Sequence, residues 1–573
     1  MTQSMSNAED LVGKPIPPAA NHRFVQGRGC YTDDHAPAGA LHMHVLRSPH
    51  ASADIAAIRT GAAAAAPGVA AVLTGADLGA DGLNPLRSLL ERRRPDGSRH
   101  FEPPFTLLAQ GRVRHVGFPV AIVVADTVLA AQAAAELVEV DYDVRAAVTE
   151  SADLLSPDAP AVWDEAGGNL CFVHCVGDEA ATDRAIGAAR HVVTIDVDMS
   201  RVAVNPMEMR NAIGDFDART GRYTLITGAQ IPHDTRAELA AILGIAGRDL
   251  RIVSPDIGGA FGLKLAAQPE QALTLWAARR TGRPVRWQAT RNEALQADWH
   301  ARDVLSRVTL ALDADGAFQA LRVDSMCNLG AYLNAFTLHP PTNNLGGLAG
   351  QYRTPHIFTK VTGAFSNTSS NGAYRGAGRP EASYVIERVI DTAARRLGVD
   401  PAELRRRNMI PAAAMPYDTG FLFTYDCGEF ERNLDTALAM SRWSELGARR
   451  AEARARGRLR GIGMSAAIEI AGGPQGAPTE EHMELRFDNS GRVTVLTGLH
   501  SHGHGLETVL TQLLHDRLGV PIDQMRVVFG DTDQVYWGKG SGGSRASAAA
   551  SATAAEAAVR IIDKGRKLTA HVF

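Results

Sequence analysis

The chain has 573 residues, with 59 Lys plus Arg against 63 Asp plus Glu and a formal net charge of −4. That balance supplies no general attraction to nucleic acid or to an anionic membrane and leaves a small molecule as the expected ligand. Five cysteines, Cys30, Cys171, Cys175, Cys327 and Cys427, are too few and too scattered for a disulfide scaffold and fit a reducing compartment.

In chain order, the opening MTQSMSNAED has neither a basic n-region nor an apolar h-region. Residues 1–20 therefore read as a flexible N-terminus of a cytoplasmic protein. Strand-like runs (ALHMHVLRS, GVAAVLTG, PVAIVVA, VEVDYD) then alternate with Ala-rich helical stretches, which predicts a compact first domain. The most apolar segment, starting at Pro119, is broken by Asp126, Gln132 and Glu136 and reads as strand, helix, strand rather than as a membrane span. Pro157 and Pro160 mark a linker. Cys171 and Cys175 leave two readings open: a pair sharing a metal, or two buried free thiols on one strand. No four-thiolate spacing for an iron–sulfur cluster is present, so electrons leaving this chain would need another subunit to carry them.

Strand and helix alternation resumes from HVVTIDVDMS. DPAELRRRN offers Asp400 as a helix cap, Pro401 at the first helical position and Glu403 close behind it. LGARRAEARARGRLRG, charged on all sides, predicts a solvated helix and connector. The last unit reads as a hairpin, MELRFDNSGRVTVLTG, turning at Asn489 to Gly491, followed by a helix from Leu506. Four glycine-rich stretches punctuate this pattern: DIGGAFGLK (256–264), GAYRGAGRPEA (372–382), HSHGHGLET (500–508) and GKGSGGSRAS (538–547). Glycine permits positive φ and close approach of backbone N–H groups to a ligand, and none of the four is a complete phosphate-loop or dinucleotide fingerprint. Together they suggest a long phosphate-bearing cofactor held by many backbone donors.

These loops, with FVQGRGCYTDD, LRSPHASADI, GRVRHVGFPVAIVVAD and DPAELRRRNMI, resemble the molybdopterin-binding large subunit of the molybdenum hydroxylases, the family of xanthine dehydrogenase, aldehyde oxidoreductase and aerobic carbon monoxide dehydrogenase. The resemblance covers nearly the whole chain. It implies an α+β protein: an a/b hammerhead domain over residues 21–148, a first molybdopterin-binding domain over 160–412 and an incomplete second one over 430–573. It also implies molybdopterin, in bacteria usually the cytosine dinucleotide, with molybdenum, and partner subunits carrying [2Fe-2S] and FAD. The implied activity is oxidation of an electron-poor carbon with water as the oxygen source. Carried over residue by residue, Arg375 lies beside the molybdenum centre on the substrate side, with Gly376 next to it. Gln230 faces an oxo ligand. Gly258, Gly259, Phe261 and Gly262 pack against the metal centre. Gly503, His504 and Gly505 lie over the pterin phosphate region, and Gly542, Gly543 and Ser544 form a further cofactor loop. Gln230, Phe261, Arg375 and Gly543 make up the molybdenum-centre environment.

Departures from the family pattern narrow the function. His504 stands where glutamine is usual, flanked by His500 and His502, so a substituted cofactor contact and a separate metal-binding histidine module are both open. Gly376 occupies the place of the copper-holding cysteine of carbon monoxide dehydrogenases. Leu265 and Ala377 occupy the places of the glutamate and phenylalanine that orient a purine. An aldehyde or N-heterocycle is therefore the expected substrate. The family's general-base glutamate, in a Gly-Glu motif far downstream, has no counterpart in the sequence; the one Gly-Glu pair, Gly428 and Glu429, matches an earlier stretch. The expectation is either an enzyme completed by another chain or a non-catalytic, truncated cofactor-binding fragment with apolar faces of its last unit uncovered.

Overall fold

The computed structural model describes residues 10–472 and 480–572. Its element order alternates strands and helices throughout, and two large sheets carry most of the chain. The first has seven strands in the order Leu250–Val253, Arg222–Ile226, Asn211–Asp217, Val285–Gln288, Leu41–Arg47, Pro119–Ala125, Val69–Thr74. PVAIVVA is buried at all seven positions, which is why it reads as an unbroken apolar run rather than an alternating one. Leu41–Arg47 pairs antiparallel with it on one side and parallel with Val285–Gln288 on the other. The segment expected to be a compact first domain thus shares its main sheet with strands from beyond residue 200. The helix Pro269–Thr281 lies on this sheet, with Pro269 at its first turn and Gly282 closing it in the left-handed conformation. The approach is so close that a Cβ on Gly214 would sit 2.7 Å from the Leu275 amide nitrogen.

The second sheet runs Leu170–Gly177, His356–Ala364, Phe318–Asn328, His300–Leu312, His191–Ala203. It is covered by Arg379–Leu397, whose Ala382, Val385, Ile386, Val389, Ile390 and Ala393 form one buried stripe at helical spacing. Asp400 caps the next helix, Pro401–Asn408, by accepting from the Ala402 and Glu403 amides. The charged segment forms a helix over Leu446–Ala455 with Ala453 alone buried. The last unit contains the hairpin Met483–Phe487 and Val493–Thr497, a third strand Met525–Val528 parallel to the second, and the helices Leu506–Leu518 and Ala546–Val572. Its core is small, built on Val493, Val495, Leu510, Leu514, Ala550 and Ala554, and Val559 and Leu568 are exposed.

Two expectations are corrected. Cys175 is exposed while Cys171 is buried, because their strand is the edge of its sheet. Among the described residues no group of three or more His, Cys, Asp or Glu could hold a metal ion. Residues 11–19 are docked: the Leu11 and Val12 amides donate to Asp516 (2.7 and 2.9 Å) and the Ala19 amide to Thr508 Oγ1 (2.7 Å). Residues 1–9 lie outside the described residues. No described helix is long and apolar enough to cross a membrane.

One ionic network joins the parts. Arg210 donates to Glu270 and, at 2.5 Å, to Asp298, while Arg47 donates to Glu270 (2.6 Å) and Glu293 (2.5 Å). All these side chains are nearly or fully buried. Burial alone would raise the Glu270 carboxyl, but Arg210 and Arg47 outweigh it and hold the group down at about 2. Breaking such a pair strands its partners uncompensated, so Glu270→Gln is expected to destabilise the fold by about 3–5 kcal/mol, read as an earlier onset in thermal unfolding. Because the folded-state value is depressed, the carboxylate's contribution is present above its ordinary value and is lost as pH falls towards about 2. The gap between the parent and Glu270→Gln should therefore narrow over that acid window.

Candidate molybdopterin site

The four glycine-rich loops follow strand ends or precede helices, and they meet. Loop 256–264 leaves the strand Leu250–Val253; loop 372–378 leads into the helix Arg379–Leu397; loops 500–505 and 538–545 lead into Leu506–Leu518 and Ala546–Val572. The buried side chain of Gln230 ties two of them together, its Oε1 accepting from the Gly262 amide (2.9 Å) and its Nε2 donating to the Ser541 carbonyl (3.1 Å). Backbone bonds reinforce this, from Gln230 N to Lys264 O (2.8 Å) and from Ser541 N to Gln230 O (3.0 Å). The first role of Gln230 is thus to join the loops, and these bonds use one of its two Nε2 hydrogens. His500 brings in the third loop: its amide donates to Ser541 Oγ (3.2 Å) and its Nε2 meets the Ser254 carbonyl (3.1 Å). The arginine loop joins through the Arg375 amide, which donates to the Phe261 carbonyl (2.8 Å), with the Arg375 guanidinium 5.8 Å from the Phe261 ring centre.

Glycine is required at the contacts between loops. Gly262 has φ +108° and a Cβ there would lie 2.4 Å from Ala373 O; Gly540 has φ +59° and would meet Gln230 O at 2.2 Å. Phe261, Ala377 and Ser544 hold positive φ without being glycine, conformations that persist only where the surroundings impose them. Glu208 supplies a further anchor: its carboxylate accepts from the Gly258 amide (2.8 Å) and from the buried Lys264 ammonium (2.7 Å). Burial lowers the Lys264 ammonium and Glu208 opposes that shift. Neither Glu208 nor Lys264 stands out in the sequence, although Lys264 closes DIGGAFGLK and a lysine at the end of a glycine loop calls for a carboxylate nearby.

Other glycines face room. A Cβ at Gly503, Gly505 or Gly543, all at positive φ, would meet nothing within 4 Å. Gly505 precedes the helix Leu506–Leu518, whose N-terminus has no side-chain cap. Beside this space the Nδ1 atoms of His500 and His502 are buried without a partner. Burial pushes His500 down to about 4 and His502, with help from its two neighbouring imidazoles, to about 3; His504 shifts the same way, again through burial. The rings are therefore neutral, each able to donate and to accept. Open backbone at a helix N-terminus suits a phosphate-bearing cofactor. The three imidazoles do not form a metal cluster, which corrects the histidine-module expectation. Of the residues carried over, Gln230, Phe261, Gly262 and Arg375 come together, the Gly542 Cα lies against Leu265 (a Cβ there would be 3.2 Å from Leu265 Cδ2), and Gly503, Gly505 and Gly543 have open space before them, with His504 and Ser544 their neighbours in sequence.

The comparisons say which class of protein has this shared-sheet N-terminal domain followed by converging glycine loops: a molybdopterin-binding one. The family model for the aldehyde oxidase and xanthine dehydrogenase a/b hammerhead domain matches residues 26–146, and those for the molybdopterin cofactor-binding domain match 162–409 and 436–573. The carbon monoxide dehydrogenase large chain of Hydrogenophaga pseudoflava is 34% identical, over 96% of this chain and 70% of that one. Among solved structures, reconstituted CO dehydrogenase from Oligotropha carboxidovorans superimposes with TM-score 0.90 at 32% identity, covering 98% of this chain and 72% of that one. Quinoline 2-oxidoreductase from Pseudomonas putida 86 does so with TM-score 0.87 at 32% identity, covering 95% and 70%. The chain belongs to the molybdenum hydroxylase family and corresponds to its molybdopterin-binding large subunit.

Gly262→Ala adds a methyl where the Ala373 carbonyl already sits, at a φ that alanine resists. It is expected to part the two loops and to lower bound molybdenum several-fold while the buried cores stay intact. Metal analysis of the purified variant, alongside its circular dichroism, checks this.

Proposed function

We propose that the chain is the substrate-oxidising large subunit of a cytoplasmic molybdenum hydroxylase that acts on an aldehyde or N-heterocycle. In this reading it holds molybdopterin cytosine dinucleotide and passes electrons to partner subunits carrying [2Fe-2S] and FAD. The observation that carries the reading is the junction at Gln230, which gathers loops 256–264 and 538–545 beside the Arg375 peptide. When bound, the molybdenum cofactor supplies two-electron redox chemistry and acidifies water. The protein's own contribution is positioning. Arg375 is exposed and its side chain makes no hydrogen bond among the described residues, so its five donors are free to stabilise negative charge developing on a substrate. Phe261, 44% exposed, offers an apolar surface beside that cation.

The likeness to carbon monoxide dehydrogenases does not extend to their copper-holding cysteine. Gly376 has φ +98°, and a Cβ on it would lie 2.4 and 2.5 Å from the Pro380 ring. A cysteine cannot stand there without moving the start of the helix Arg379–Leu397. Leu265 packs against the Gly542 loop, where a purine-orienting glutamate would need solvent or a partner. Both features favour an aldehyde or N-heterocycle, and the name of the quinoline-oxidising relative points the same way. The reading includes a general base, and none of these 573 residues matches the glutamate that serves as one in the family. Loss of such a base slows a proton-transfer step by about 10²–10⁴-fold.

Metal and nucleotide analysis is the first test. Stoichiometric molybdenum and released cytidine nucleotide, with turnover of aldehydes or N-heterocycles but not of carbon monoxide once the base is supplied, is the expected result; neither ligand in any preparation would refute the reading. In the active complex, Arg375→Ala is expected to lower kcat/KM by about 100-fold, with molybdenum content unchanged.

A further inference from the structure

The strand His300–Leu312 begins with an irregularity: consecutive Arg302 and Asp303 both hold positive φ, +67° and +59°. Neither is glycine. Left-handed backbone at two adjacent ordinary residues persists only where surrounding contacts over-determine it, and the contacts are present. Asp303 accepts from Arg201 Nε (2.6 Å) and from the Ser151 hydroxyl, and Asn371 Nδ2 donates to the Arg302 carbonyl. The twist directs the Arg302 side chain out of the sheet and onto the arginine loop.

There its guanidinium makes three hydrogen bonds. Nη2 donates to the Arg375 carbonyl (3.0 Å), while Nη1 donates to Glu381 Oε1 (2.8 Å) and the Tyr374 carbonyl (3.3 Å); the group also lies 5.1 Å from the Tyr374 ring centre. The second oxygen of Glu381 accepts from the Gly378 amide (3.0 Å) at the start of the helix Arg379–Leu397. The pair Arg302–Glu381 is mostly buried, at 15% and 13% side-chain exposure, and so grips the loop at residues 374, 375 and 378. Phe261 O takes the Arg375 amide (2.8 Å). The backbone of Arg375 is thus held at both its N–H and its carbonyl, while its side chain makes no hydrogen bond among the described residues.

We propose that Arg302 is a positioning residue: from the left-handed break in its strand, and braced by Glu381, it fixes the peptide of Arg375 and thereby the place where that guanidinium meets substrate. The planar fork is essential, since one side chain reaches two successive carbonyls and a carboxylate, which a lysine ammonium does not reproduce. The consequence for turnover rests on the reading of Arg375 given above; the clamp itself does not.

The test uses the assembled, cofactor-loaded enzyme with Arg302→Lys, Glu381→Gln, Arg375→Ala and the double variant Arg302→Lys/Arg375→Ala. Hydrogen exchange at residues 374–378 is expected to quicken about 10-fold or more in Arg302→Lys, the effect of losing charge-assisted hydrogen bonds, with molybdenum content and thermal unfolding unchanged. A misplacement of about 1 Å costs about 100-fold, so kcat/KM should fall by that order in Arg302→Lys and show no further fall when the change is added to Arg375→Ala. Unchanged exchange in Arg302→Lys overturns the clamp. Equal losses of kcat/KM in both backgrounds overturn the positioning role, since a merely structural effect is indifferent to Arg375. Quickened exchange together with an Arg375→Ala variant of full activity upholds the clamp and refutes instead the reading of Arg375. Should Arg302→Lys fail to fold, Glu381→Gln, which keeps the shape and weakens the same grip, is expected to give the same exchange signature, and its absence there overturns the proposal.

Discussion

The short segment Glu208–Arg210 fixes both ends of the loop on which the site is built. Glu208 accepts from the Gly258 amide and from Lys264, so it spans the loop itself. Arg210, two residues on, pairs with Glu270 in the first turn of the helix that follows, and through Glu270 with Arg47 at the end of an N-terminal strand. Taking charges out of water is costly, and such an ionic network is no guarantee of stability. What it supplies here is registry. Each partner has one geometry in which its buried charge is compensated, so the N-terminal strands, the helix and the loop dock in one arrangement.

From that fixed loop the rest of the site is assembled by contacts with no room for a side chain. Gly262 touches the Ala373 carbonyl, Gly540 touches the Gln230 carbonyl, and Gly530 touches that of Ser254. Backbone set against backbone leaves polar groups facing one another, and buried ones must be paired. Gln230 and Ser541 do this, each satisfying main-chain groups of another loop. The bareness of GAYRGAG has the same origin. Gly376 and Gly378 give way to Pro380 and the Pro340 carbonyl, so that one cation is held by its backbone with its side chain unencumbered.

Much of this was legible in the sequence. Alternation of apolar residues, the cap at Asp400 and the turn at Asn489–Gly491 lie where local chemistry dictates, because each depends on residues close in the chain. The glycine loops could be read as places of close approach because glycine at such density marks it. What could not be read was pairing at a distance. Arg210 and Glu270 are separated by 60 positions, Gln230 and Ser541 by 311, and no periodicity links them. The exposure of Cys175 was misjudged for a related reason: whether a strand lies at a sheet edge depends on the order of strands, which the strand's own residues do not encode. The left-handed pair Arg302 and Asp303 lies in a stretch, HARDVL, with no glycine or asparagine to announce it.

The histidines of HSHGHG show how burial can keep a chemical departure neutral. An imidazole in place of an amide threatens a change of charge. Burial opposes that change, since it lowers His504 as it lowers its neighbours His500, to about 4, and His502, to about 3. A neutral imidazole has one donor and one acceptor, as an amide side chain has both, but it carries them at fixed separation on a rigid ring. The loop therefore keeps its hydrogen-bonding character and gives up the amide's ability to rotate. His502 N donates to His504 Nδ1 at 3.4 Å, so His504 already spends its acceptor within the loop and has its Nε2–H left to offer outwards. A neutral imidazole adds no charge of its own to the helix N-terminus, where Glu507 already stands in the first turn.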